Sequence, residues 1–135
     1  MAPFIFILML FAGRQDTLLI ENAWIRPAAK GMNSALYFEV KNNSDNPQTL
    51  YKVECAVAKL VEIHETYKKE DKMAMRKIEN VVIKGKSSFK FKPGRHHIML
   101  IRVKEDLKEG SEHEVTFLFK NSVPYKLKVP VKRTN

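Results

Sequence analysis

At 135 residues the chain has room for one domain; 44% apolar residues suffice for a single packed core, and 29% charged residues argue against wholesale disorder. Lysine and arginine outnumber the acidic residues 24 to 15, a net charge of +9 that favours negatively charged partners, but they are scattered without a recognition helix or an aromatic-basic platform, which argues against nucleic acid. Cys55 stands alone, so neither an internal disulfide nor a zinc–thiolate centre is available.

Residues Pro3 to Ala12 are apolar without a break. Ten residues are too few to cross a bilayer core but match the apolar region of a signal peptide. No basic residue precedes the run. Leu10-Phe11-Ala12-Gly13 is similar to a lipoprotein cleavage box, with Arg14 where its cysteine would stand. Residues 1–16 are therefore expected to be a signal-peptide-like or membrane-targeting segment, and residues 17–135 the folded domain. A first buried strand is the other reading of the apolar run.

From there the chain reads as short strands divided by turn residues. Leu18 to Arg26 is the first. Asn33 to Asn43 follows, with Leu36, Phe38 and Val40 alternating against Tyr37, Glu39 and Lys41; a period of two marks a half-buried strand. Asn42 to Pro47 is a dense turn cluster. Leu50 to Val53 and Lys59 to Tyr67 come next; in the latter, Glu62 and His64 share one face and Val61 and Ile63 the other. Lys68 to Lys72 is a charged hairpin loop, after which one strand is expected from Met73 to Ile83. Ser88 to Lys92 ends at the Pro93-Gly94 turn. His97 to Val103, Glu114 to Lys120 and Val123 to Lys132 complete the series, with Pro124 and Pro130 suggesting an edge position or an irregular ladder for the last. Regular strand spacing without an amphipathic helix indicates an all-β antiparallel sandwich or a Greek-key barrel, and the period does not separate the two.

Four residues stand out as candidate metal ligands: His64, Met75, His97 and Met99. His97 and Met99 are two apart on a strand and project from the same face, roughly 6–7 Å apart. His64 and Met75 lie on strands joined by the hairpin and can approach across it. Two soft, uncharged thioethers and two imidazoles suit Cu(I) better than Zn(II), Mg(II) or Ca(II). Methionine also resists the disulfide capture that threatens cysteine in an oxidising compartment. The plainer reading is that methionine on a strand packs in the core.

The segment resembles the PCuAC family of periplasmic copper chaperones. The family signature is His, ten residues, Met, twenty-one residues, His, any residue, Met, and His64, Met75, His97 and Met99 match it without a gap. Ala23-Trp24-Ile25-Arg26-Pro27, His64-Glu65, Met73-Ala74-Met75-Arg76, Lys92-Pro93-Gly94 and Leu107-Lys108-Glu109-Gly110 match family words as well, so the resemblance covers residues 20 to 132. It implies a cupredoxin-like antiparallel Greek-key β-sandwich in the periplasm or at the extracytoplasmic face of the membrane. It implies a Cu(I) carrier delivering copper to the CuA centre of cytochrome c oxidase, with subunit II or another periplasmic copper protein as acceptor. Three positions depart from the pattern: His96 where an aromatic is common, Ile101 for a frequent third Met, and Thr66 where a Met often follows the first ligand. They leave the four ligands intact but put auxiliary methionine handling in doubt.

Among the remaining residues, Met73, on the face of Met75, is expected to pack or else to stand as a further thioether beside the site, Trp24 to sit in the core or cover the site, His113 to be solvated, and Cys55 to be a small buried residue. His96 is an alternate ligand only if it shares the face of its neighbour His97, which a strand forbids. Lys68, Lys69, Lys72, Arg76, Lys92 and Arg95 could steer an acidic partner. No nucleophile triad, phosphate loop or acid–base pair is evident, so a carrier is expected and not an enzyme. The competing readings are copper buffering or detoxification, and a metal-free basic β-sandwich interaction module.

Overall fold

Alternating apolar residues fold into two facing antiparallel sheets. The structure, a computed structural model, describes residues 17–133; the expected targeting segment lies outside them. Among the described residues there are ten strands and no helix: β1 (Leu18–Ile25), β2 (Ser34–Asn42), β3 (Gln48–Glu54), β4 (Ala58–Lys69), β5 (Lys72–Ile78), β6 (Val81–Ile83), β7 (Ser87–Phe91), β8 (His96–Val103), β9 (Glu112–Phe119) and β10 (Tyr125–Pro130). One sheet runs β1-β2-β8-β4-β5, with β7 also paired to β2; the other runs β10-β9-β3-β6. Two sheets rather than one closed ring settle the choice that periodicity left open: the fold is a sandwich. β10 is an edge strand, one of the two readings that Pro130 within it and Pro124 just before it suggested.

The inward residues make one core. Leu36, Val40, Ile98 and Leu100 of the first sheet and Leu50, Val115, Phe117 and Val129 of the second are wholly buried. Phe38 stacks on Phe91 at 4.3 Å between ring centres and meets the edge of Phe117 at 4.8 Å, which joins the two sheets. Cys55 lies in this core as expected, and burial pushes its thiol pKa up.

Local chemistry sets where strands turn. Glu70 and Asp71 both adopt positive φ, 47° and 68°, giving the tight two-residue hairpin whose twist matches its strands. The expected five-residue charged loop is thus shorter, and Lys69 and Lys72 pair across the ladder. In Lys92-Pro93-Gly94-Arg95 the Arg95 N–H donates to the Lys92 carbonyl at 3.0 Å, and Gly94 at φ 83° occupies the position where a type II turn needs glycine. This turn delivers the chain into β8.

The single strand expected from Met73 to Ile83 is two. β5 pairs with β4 through Ile78, the chain crosses at Glu79-Asn80, and β6 pairs with β3 in the opposite sheet. Local alternation continues through the crossing, so the break is decided by the partner strand. Beyond β6 the buried Asn42 amide donates to the carbonyls of Asn46 and Ile83, at 2.8 and 3.0 Å, and pins the turn cluster to the strand end. Gly85 packs there so closely that an added Cβ would run into the Asp45 backbone. Gly85→Ala is expected to destabilise the domain by about 1–3 kcal/mol, seen as a lower denaturant midpoint at unchanged slope.

Candidate metal centre

β4, β5 and β8 carry the candidate side chains on the outer face of the larger sheet, opposite the core. The register places Ile63 against Ile98 inward, and therefore His64 against His97 outward. The two imidazole centres are 5.5 Å apart. One row along the same face, Glu62 stands directly across from Met99. On the other side of the histidine row, Met75 of β5 is paired with Thr66, diagonal to His64. On an ideal ladder Met99 lies roughly 6–7 Å from His97 along the strand and Met75 roughly 7–8 Å from His64 on the diagonal. The methionines therefore flank the pair from opposite sides, and a shared ion needs both to fold inward over the rings.

Exposure differs sharply among the four. His97 is only 5% exposed, His64 and Met99 are half-buried, and Met75 is 54% exposed on the edge strand. Burial pushes the His97 pKa below the ordinary histidine range, the adjacent His64 pushes it further, and a hydrogen bond with the Arg95 backbone acts the other way. His97 is thereby kept neutral, the state in which imidazole can bind a metal. Next to it Tyr37 lies at 6.2 Å, and Trp24 lies 4.8 Å beyond Tyr37, so an aromatic wall closes one flank. Trp24 is half-buried on this wall and is not a core residue. Burial raises the Tyr37 pKa, with Arg26, 5.4 Å above the ring, opposing.

Several expectations change here. Met73 does not pack: it is 64% exposed beside the hairpin turn. His113 is half-buried, its Nε2 3.2 Å from the Ser111 hydroxyl. His96 faces away from the pair, toward Phe89 at 4.9 Å and Glu65 at 3.5 Å, as strand alternation demands. Arg76 is committed on that reverse side to Glu65, at 2.6 Å, and to the ring of Tyr67. Lys68, Lys69, Lys72, Lys92 and Arg95 are exposed around the hairpin end of the site.

Sequence reasoning passed over Glu62. It lies on the His64 face, as the alternation showed, and its Oε1 is 2.9 Å from His64 Nε2, while Lys77 Nζ stands 3.8 Å from its other oxygen. His64 Nδ1 is buried and, among the described residues, has no hydrogen-bond partner. An unpaired buried nitrogen costs about 1–3 kcal/mol unless a ligand takes it up. With two thioethers nearby, a soft metal ion fits this donor set.

Comparison with known proteins agrees with this architecture. A family model described as "Putative lipoprotein LpqE-like" matches residues 18–131. Protein RP573 of Rickettsia prowazekii (strain Madrid E) is 32% identical over 117 residues, covering 83% of this chain; the chain spans 65% of that relative's length. "Putative lipoprotein Lxx21020" of Leifsonia xyli subsp. xyli is 30% identical over 122 residues, covering 89% of this chain and 73% of the relative. Among solved structures, the copper-bound PCuAC domain from PmoF2 superposes with a TM-score of 0.73 at 22% identity, covering 87% of this chain and 94% of that one. The Cu(I) form of DR1885 from Deinococcus radiodurans gives 0.66 at 19% identity, covering 88% and 83%. The shared fold is the cupredoxin-like sandwich of PCuAC domains.

Proposed function

We propose, from the premise that this chain belongs to the LpqE-like family and has the PCuAC fold, that it is an extracytoplasmic Cu(I) carrier. His64, Met75, His97 and Met99 hold one Cu(I) and release it to an acceptor. The observation that carries this reading is the direct pairing of His64 with His97 at 5.5 Å, with a thioether on either side. A metal bound to nitrogen at about 2 Å stands roughly 3 Å from each ring centre, which matches that separation. The relatives support it: one solved PCuAC domain is described as copper-bound and DR1885 as its Cu(I) form.

The asymmetry of the site supports carriage over permanent storage. His97 anchors the ion from a buried position, whereas Met75 is exposed on a hairpin at the sheet edge. Met75 is the ligand an acceptor would reach and displace first. The exposed lysines around the hairpin favour an acidic acceptor face. The CuA centre of cytochrome c oxidase subunit II is the acceptor the PCuAC resemblance implies, and another extracytoplasmic copper protein is the alternative. The lipoprotein descriptions of the relatives support the location. Cys55 is buried in the domain core and so is not available to carry a lipid.

X-ray absorption of the Cu(I)-loaded protein tests the ligand set. One copper per chain with two nitrogen and two sulfur neighbours is expected. A shell without sulfur refutes this ligand set, and no bound copper removes the proposal and leaves a metal-free interaction module. Deleting the gene separates the roles: lost oxidase activity under copper limitation means delivery, and copper sensitivity with normal oxidase means buffering.

A further inference from the structure

His64 presents its two ring nitrogens to different surroundings. Nε2 is 2.9 Å from Oε1 of Glu62, and Nδ1 is buried and, among the described residues, without a partner. A carboxylate oxygen has no proton to give, so Nε2 must donate, and the lone pair is then on Nδ1. Glu62 is well placed to hold this arrangement. It is two residues back on the same strand, its side chain is only 17% exposed, and Lys77 Nζ stands 3.8 Å from its second oxygen and offsets its charge.

We propose that Glu62 is the positioning residue of the copper site: it locks His64 in the Nε2–H tautomer and so presents Nδ1 to the ion. This rests on the Cu(I) reading above. A ligating histidine that donates its other N–H to a carboxylate is held in one orientation and becomes a more basic donor. Glu62 itself is a poor ligand for Cu(I), because a hard oxygen donor does not suit a soft monovalent ion. Its place beside Met99 thus serves His64 and not the metal directly.

Two measurements test this. In the metal-free wild-type protein, long-range 1H–15N correlation of the imidazole nitrogens, at a pH where the ring is neutral, should show His64 as the Nε2–H form; the Nδ1–H form overturns the proposal. Cu(I) affinity, by competition with a chromophoric chelator, is then compared in two variants. Glu62→Leu removes the acceptor and should randomise the tautomer and weaken binding roughly 10–100-fold. Glu62→Gln keeps an acceptor oxygen and should retain the tautomer and most of the affinity. A Leu variant that binds as tightly as wild type overturns the role of Glu62. A chain with the Nε2–H form that takes up no Cu(I) overturns the carrier reading and this proposal's copper half together. Cu(I) binding with His64 in the Nδ1–H form overturns the Glu62 assignment alone.

Discussion

Replacing Met75 and Met99 together by isoleucine is expected to lower Cu(I) affinity by at least about 100-fold, equivalent to about 2.8 kcal/mol, while the domain stays folded. Both halves follow from position. Met75 is 54% exposed, so its side chain contributes little to packing. Met99 is half-buried on the outer face, where isoleucine of similar volume suits a strand, and such swaps usually cost under about 1.5 kcal/mol. What the variant loses is the pair of sulfur donors that make the site soft. Chelator competition reads the affinity, and a thermal melt checks the fold. The single variants should differ in kinetics: Met75→Ile opens the exposed side and speeds release more than Met99→Ile. Affinity equal to wild type in the double variant would exclude the thioethers from the site and refute the ligand assignment.

How much of this was legible in the sequence depended on the range of the interaction involved. Alternation along β2, β8 and β9 told inward from outward residues, and so predicted that His97 and Met99 share a face. The same rule turned His96 away, as observed. The pairing of His64 with His97 needed the register of β4 on β8, which those strands do not encode separately. The crossing at Glu79-Asn80 was hidden for a similar reason: Val81 and Ile83 continue the pattern of the preceding strand but bury against the other sheet. Met73 was misjudged because apolar character was read as burial. At the edge strand no layer covers that side chain. Glu62 was seen on the ligand face but not weighed, since a carboxylate two residues from a histidine is common. Only the side-chain conformation reveals that it turns back to the ring.

Acid should loosen the protein and empty its site through His97. Its folded-state pKa is depressed, mainly by burial and then by the charge of its neighbour His64, whereas in the unfolded chain it titrates near 6.5. Above about 6.5 both states hold the ring neutral and its contribution to stability is complete. As pH falls below 6.5 the unfolded chain takes up a proton that the folded one refuses. Stability is therefore lost between 6.5 and the depressed folded value, below which this group adds no further slope. Copper binding extends the effect, because an imidazole that has bound a proton cannot bind the ion. The loss of Cu(I) affinity that comes from His97 should set in only below 6.5, as its depressed folded-state pKa is crossed. Loaded protein should resist acid unfolding further than metal-free protein does. His97→Phe, a ring without a titrating nitrogen, should remove this component of the acid slope in denaturant titrations while abolishing tight copper binding. A slope unchanged in that variant would assign the acid sensitivity to other groups and would mean that the buried setting of His97 is not its source.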